Sequence, residues 1–348
     1  MLAVPLPATL SRSTGIHADD VIDGRYRVVR RLADGGMGTV FLAEHMLIRR
    51  RVAIKLLHAE LATDRGMVQR FMNEAAAAGT LGHPHIVEST DMGFTREGIP
   101  YIVFEYLEGC LLIEEIRRVG RLPVRRTLRI ARQIASALEA AHNAQIAHLD
   151  LKSDNVFLTD RGNAFDHAKL LDFGIARFMA VDSGKVTQPG ILIGTPEFMA
   201  PEQITDPSTV DCRADIYALG VLIYEMLTGH CPFASDDLRC VLFRSVHEEP
   251  PPLDRPIPAA LSRLLFDGLL VKSRDRRRQT AGEVTAELDS LLAAMRPGTP
   301  EAAATFEVDA PRAIQSADTA PMRAVNRNRL DDEPPPLAPP PWEVEVWP

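Results

Sequence analysis

The sequence predicts an α+β protein in two parts, a strand-rich N-terminal lobe with one main helix followed by a larger, mainly helical C-terminal lobe. Three observations carry this. Segments of β-branched and apolar residues with turn residues between them fill the first hundred or so positions. Apolar residues at helical spacing dominate after Gly109. The composition shifts between the two patterns near residues 105–110.

The elements follow in order. Residues 26–45, "YRVVRRLADGGMGTVFLAEH", place two strands around a glycine-rich turn, and "RRVAIKLL" is a third strand. "RGMVQRFMNEAAAAGTLGH" is Ala-rich and stops at a glycine before His-Pro, which reads as a helix and its end. "HIVESTDMGF" and "IPYIVFEYL" are two further strands. Residues 123–145 form an amphipathic helix. "RADIYALGVLIYEMLTG" is apolar nearly all round, so it is expected to be a buried helix. "LSRLLFDGLLV" and "AGEVTAELDSLLAAM" read as amphipathic helices. Residues 1–25 are expected to be a disordered leader. The ordered region is placed at 26–294, with an N-lobe over 26–104, a hinge at 105–109 and a C-lobe over 110–294. Residues 295–348 lose periodicity and end in "DEPPPLAPPPWEVEVWP", an acidic, Pro-rich tail expected to be disordered. Both tryptophans lie in it, which leaves a docking partner for the tail open.

Composition excludes several classes. The formal net charge is −8, which gives no reason to expect nucleic-acid binding. Residues 301–348 carry nine acidic and four basic side chains, so the acidity belongs mostly to the tail. No run of about 18 apolar residues exists, so no transmembrane helix is expected. The four cysteines form no C-x-x-C pair, and free thiols in a reducing, cytoplasmic setting are expected.

The chemistry-bearing residues form a series. "ADGGMGTV", residues 33–40, lets backbone amides approach a ligand closely and could cradle phosphate oxygens, although alone it also fits a hairpin without a ligand. Lys55 in "VAIK" needs a partner if it leaves a buried strand, and Glu74 on the Ala-rich helix could supply it. "IAHLDLKSDNVFL" packs Asp150, Lys152 and Asn155 between apolar flanks, and Asp172 follows in "LLDFGIAR". Asn155 and Asp172 offer oxygen ligands suited to Mg²⁺ beside phosphates. Asp150 is then left to accept a proton from a hydroxyl, with Lys152 to neutralise charge on a transferring phosphate.

In this order, with "VFEYLEG", "GTPEFMAPE" and "RADIYALG", the motifs resemble the eukaryotic-type protein kinases, most of all the bacterial serine/threonine kinases, over roughly residues 26–290. The resemblance implies the two-lobe kinase fold, with an antiparallel N-terminal sheet. It implies a serine/threonine kinase that transfers the γ-phosphoryl of MgATP to protein substrates, with autophosphorylation. Ala33, Gly35, Gly36 and Gly38 would cover the phosphates, with Val40 above the adenine. Ala53 and Phe157 would sandwich the base. Glu105 and Leu107 would bind its edge through their backbones, beside Phe104 as gatekeeper. Lys55 would hold the α- and β-phosphates and pair with Glu74. Asp150 would be the base, Lys152 would contact the γ-phosphate, and Asn155 and Asp172 would hold Mg²⁺. Asp215 would fasten the catalytic loop from below, and Glu202 would pair with Arg277. Thr195 would bridge Asp150 and Lys152, as in the Ser/Thr group. A homodimer remains open. The competing readings are a pseudokinase scaffold and a small-molecule phosphotransferase. The full set of charged residues counts against the first, and "MAPEQ" and "RADIYALG" against the second.

Three departures stand out. Ala33 replaces a glycine, which is harmless where φ is negative. "KSRDRRRQT", residues 272–280, keeps the spacing to Arg277 but lacks the family's prolines. Leu149 stands where many kinases have an arginine that receives an activation-loop phosphate. In the loop at about 178–194, Thr187 of "KVTQPG" is the favoured phosphosite over Ser183. Without that arginine, loop phosphorylation has little leverage. Thr187→Ala is therefore expected to keep most of the activity in an initial-rate assay, and a loss beyond about tenfold would contradict this.

Overall fold

The structure, a computed structural model, describes residues 15–161, 164–172 and 195–295. Ser183, Thr187 and the Pro-rich tail lie outside the described residues. The N-lobe is a six-stranded antiparallel sheet of β1 (Val21–Ile22), β2 (Tyr26–Asp34), β3 (Gly38–His45), β4 (Arg51–Leu57), β5 (Ser89–Phe94) and β6 (Pro100–Glu105). Its order is β1-β2-β3-β4-β6-β5.

The period-two alternation of β4 sets the lobe's logic. Val52, Ile54 and Leu56 face a core with Tyr26, Val28, Phe41 and Tyr101. Leu57 and Ala53 belong to a second cluster, with Phe71 and Ala75 of α1 (Arg65–Leu81). Lys55 lies between them in sequence and therefore points to the α1 side. Helix α1 starts at Asp64, whose carboxylate accepts from the amides of Gly66 and Met67, and ends at Gly82 with φ 51°.

The ordered region starts before Tyr26, where the sequence analysis had put its boundary. Ile22 is buried in the first core, and Asp19 and Val28 exchange backbone bonds with Val28 and Asp20 at 2.8 Å. One apolar side chain and these two bonds are enough to add β1 to the sheet edge.

The C-lobe begins with β7 (Gly109–Leu111), α2 (Leu112–Val119) and α3 (Val124–Asn143), then β8 (Val156–Arg161) and β9 (Ala164–Leu170). These three strands form a second small antiparallel sheet, ordered β7-β8-β9. Then come α4 (Pro201–Thr205), α5 (Arg213–Thr228), α6 (Leu238–His247), α7 (Ala259–Arg263) and α8 (Ala281–Ala294). Every residue of α5 from Ala214 to Leu227 is buried, as its all-round apolar pattern predicts.

"LSRLLFDGLLV" is not one regular helix. It is α7 followed by a π-helical turn at Leu264–Leu269, closed by the Leu270 amide on Leu265 O at 2.9 Å. The wider turn lets Leu264, Leu265, Leu269 and Leu270 all enter the core. Leu269 and Leu270 press on α5 at Gly220, where an added Cβ would meet Leu269 Cβ at 2.8 Å. All four cysteines are free thiols. Among the described residues no helix is long and apolar enough to cross a membrane.

Glu225 is the one acidic side chain in the second half of α5. It is buried, and its Oε2 has no hydrogen-bond partner among the described residues. Burial pushes its carboxyl up to about 7. A raised folded value stabilises the fold fully below the unfolded value of 4.5, and this contribution is lost as pH rises through about 7. Glu225→Gln mimics the neutral acid. It should melt close to wild type near pH 5 and above it at pH 8, with a gain of up to about 3 kcal/mol in denaturant or thermal unfolding.

Candidate active site

The glycine-rich turn joins β2 to β3. Ala33 pairs with Val40 and Asp34 with Thr39 in the ladder, and Gly35 N–H donates to Gly38 O at 2.9 Å. Ala33 is not among the positive-φ residues, so its side chain costs nothing there. Gly38 has no such latitude: a Cβ would lie 2.1 Å from Leu56 O of the neighbouring strand. Gly36 has open space around it. Val40 is directly opposite Lys55, and Ala53 is directly opposite Phe104.

Lys55 is the centre of the charged cleft. Its Nζ lies 2.8 Å from Glu74 Oε1 and 3.0 Å from Asp172 Oδ1. Glu74 comes from the same face of α1 as Phe71 and Ala75, one turn away and one position away. Burial opposes the Lys55 charge, but the two carboxylates hold its pKa above the ordinary lysine value. Desolvation pushes Glu74 up, against the pull of Lys55. Asp172 is pushed up by desolvation too, yet the charge and hydrogen bond of Lys55 hold it below the usual carboxylate range. Its side chain is 48% exposed, against 10% for Lys55 and 6% for Glu74.

The catalytic-loop candidates converge on Asp150. Lys152 Nζ lies 3.1 Å from Asp150 Oδ2 and donates to Thr195 Oγ1 at 3.0 Å. Lys152, rather than Thr195, is the middle member of this trio. An ammonium has three donors, and its two neighbours offer acceptor oxygens. Asn155 Nδ2 donates to Asp150 O at 2.8 Å and to Asp150 Oδ2 at 3.1 Å. With the amide nitrogen so engaged, the amide oxygen is the atom left for a cation.

Asp215 holds this loop from α5. Its Oδ2 accepts from His148 N–H and its Oδ1 from Leu149 N–H, at 2.8 and 2.7 Å. His142 Nε2 is also 2.8 Å from Oδ2. Leu149 has φ 59° and Asp172 φ 34°, conformations that cost a non-glycine residue roughly 1–2 kcal/mol. The Leu149 side chain is buried in the C-lobe core. Glu202 and Arg277 form a buried bidentate pair at 2.8 and 2.9 Å despite the missing prolines.

The hinge residues occupy the other side of the cleft. Glu105 N–H is taken by Glu88 O at 3.0 Å, so a ligand bond from this backbone would go through its carbonyl. Leu107 packs on the cluster containing Phe104. Phe157 on β8 is paired with Leu111 and Lys169. Lys169 was missed by sequence reading. It is buried, donates to Ile86 O at 3.1 Å and binds the Glu105 carboxylate, so it braces the hinge from β9. His148 was also missed: its Nε2 lies 3.0 Å from Leu171 O, linking the Asp150 loop to the strand end before Asp172. Its place directly before "LD" in the quoted stretch was the available signal.

The glycine hairpin, the buried Lys–Glu pair with Asp172, and Asp150 with its second lysine are thus carried by consecutive parts of the two lobes. The protein kinase domain family matches residues 26–287. The chain is 40% identical to the serine/threonine-protein kinase pkn2 of Myxococcus xanthus over 287 residues, 80% of this chain and 34% of that protein. It is 42% identical to Pkn1 of the same organism over 256 residues, 73% of this chain and 36% of that protein. It is 36% identical to PknA of Mycobacterium tuberculosis over 312 residues, 88% of this chain and 70% of that protein. The chain spans about a third of the Myxococcus relatives' length. It belongs to the protein kinase family.

Asp215→Ala would leave two buried backbone N–H groups without their acceptor, at about 1–3 kcal/mol each. The variant is expected to melt several degrees lower and to lose hydrogen-exchange protection first at the amides of His148 and Leu149.

Proposed function

We propose that this chain is a serine/threonine protein kinase that moves the γ-phosphoryl of ATP to a hydroxyl of a protein substrate. The observation that carries the reading is the placement of Lys152 between Asp150 and Thr195, on the floor of the cleft that Lys55 and Asp172 line. Asp150 accepts the proton of the incoming hydroxyl. A new bond forms between that oxygen and the γ-phosphorus as the bond to the β,γ-bridging oxygen breaks, and ADP leaves. Lys152 neutralises charge on the transferring group, and Lys55, held by Glu74, binds the α- and β-phosphates. Val40, Ala53 and Phe157 enclose the base, and Glu105 and Leu107 bind its edge.

The donor set fits a magnesium ion. Asp172 presents a half-exposed carboxylate and Asn155 an amide oxygen, both hard donors with room for phosphate and water ligands. Mg²⁺ bound there would screen the phosphate charges and align them for in-line transfer. Asp215 and the Glu202–Arg277 pair hold the floor that carries Asp150. Thr187 is the proposed autophosphorylation site. Free cysteines fit a cytoplasmic protein. A homodimer and a partner for the Pro-rich tail belong to the same reading. The pseudokinase alternative is not favoured, because a scaffold has no use for both the base and the metal ligands.

Incubation of wild type and Asp172→Asn with labelled ATP, Mg²⁺ and a generic basic protein tests the proposal. Wild type is expected to transfer label and the variant to lose transfer by at least about a hundredfold. Equal inactivity of both, with nucleotide still raising the melting temperature, would overturn it in favour of the scaffold.

A further inference from the structure

We infer that His58 is a positioning residue that clamps the glycine-rich hairpin over the nucleotide, an inference that rests on the kinase reading above. His58 follows β4 directly, three positions after Lys55, and is 3% exposed. Its backbone is fixed at both ends. Its N–H donates to Met37 O, at the tip of the glycine turn, at 2.9 Å. Its carbonyl accepts from Leu61 and Ala62 at 2.9 and 3.1 Å, in the turn that leads into α1. Its ring Nε2 faces both limbs of the hairpin, 3.4 Å from Asp34 Oδ1 and 3.5 Å from Thr39 Oγ1.

Asp34 and Thr39 are directly opposite each other, the last ladder pair before the glycines. Thr39 is fully buried, and its hydroxyl donates to Asp34 Oδ1 at 2.7 Å. Arg31 Nη1 lies 3.3 Å from the other oxygen. These contacts account for a carboxylate held below its usual range, by the Thr39 hydroxyl first and by Arg31 and His58 after it. Asp34 is therefore an anion beside Gly35, at the base of the turn that would cover the phosphates in the kinase reading. A negative charge there repels the ligand unless it is held away. The buried ring, with the Thr39 hydroxyl, gives one oxygen of the carboxylate a fixed place.

Packing alone does not explain the histidine. Its Nδ1 is buried without a hydrogen-bond partner among the described residues, a cost that an apolar ring would avoid. The offsetting polar contacts of the ring are on the hairpin side. Through its backbone the same residue joins that hairpin to the strand of Lys55 and the turn before the helix of Glu74.

The test combines His58→Phe, His58→Gln, Asp34→Asn and the Asp34→Asn/His58→Phe pair in the full chain. Displacement of a fluorescent ATP analogue reads nucleotide affinity without phosphate transfer, thermal melting checks folding, and steady-state transfer separates KM from kcat. His58→Phe is expected to weaken nucleotide binding and raise KM for ATP about 3–10-fold, with kcat within about twofold. His58→Gln keeps a donor where Nε2 lies and should recover most of the affinity. Asp34→Asn removes the charge to be held, so adding His58→Phe to it should cost little more. Unchanged affinity in His58→Phe, a His58→Gln as weak as the Phe variant, or effects that simply multiply would each overturn the clamp. Should His58→Phe fail to fold, the Gln variant and its pairing with Asp34→Asn carry the same test: the clamp is overturned if Gln weakens binding equally with and without Asp34. A wild type that binds no nucleotide refutes the kinase reading instead.

Discussion

Asp215 lies on α5 with 0% of its surface exposed, and both of its carboxylate oxygens are spent on the segment just before Asp150. A buried carboxylate is tolerable only when donors surround it. Here two come from backbone amides, and His142 closes the third side. The arrangement works in both directions. The loop satisfies the charge, and the charge fixes the loop, including Leu149 at φ 59°. Since α5 is buried along its length, the anchor has nowhere to move. Asp150, Lys152 and Asn155 inherit their positions from it.

The N-lobe uses a different device for Lys55. Strand alternation points the lysine at α1, and the helical period points Glu74 back. The ion pair is nearly dry, with side chains 10% and 6% exposed. Such a pair does little for stability once desolvation is counted, but it fixes where a positive charge sits. Asp172 then adds a second negative charge on the open side. One ammonium thus faces two carboxylates, and burial works against the charge of Glu74 while Lys55 favours it. The strand end before Asp172 is tied to the Asp150 loop through His148 and Leu171 O. The two lobes' charged groups are set by neighbouring backbone, not by long flexible side chains.

Much of this was legible in the sequence because it depends on period. The alternation in "RVAIKLL" and the spacing of Phe71, Glu74 and Ala75 are sufficient to pair Lys55 with Glu74. The all-round apolar pattern of "RADIYALGVLIYEMLTG" gave a buried helix, and the order of motifs placed Asp215 upon it. What could not be read depends on tertiary fit. Nothing in "LLFDGLLV" specifies a π-turn; the need to bury Leu264, Leu265, Leu269 and Leu270 in the C-lobe core, the last two against Gly220, does. Ile22 looks like one of several scattered apolar residues in the leader until a sheet edge is there to receive it. Lys169 and His58 are single polar residues at strand ends, and only the neighbours brought in from Glu105 and from the glycine turn give them roles.

Leu149 shows how a departure from the family pattern can be absorbed. An arginine at this position would need an exit to solvent and an anion to meet. Leucine turns the position into core, with 6% exposure among the apolar residues of the C-lobe. Its amide is still held by Asp215, and its carbonyl lies 3.3 Å from Gln203 Nε2 of α4. The loop is thus secured from the α5 side and from α4. The positive φ is the cost of turning the chain between His148, which faces Leu171, and Asp150, which faces Lys152. Hydrophobic burial of the side chain offsets that cost to within the same order, about 1.5–3 kcal/mol against 1–2. The order of this turn is thus supplied by packing and by hydrogen bonds from α4 and α5.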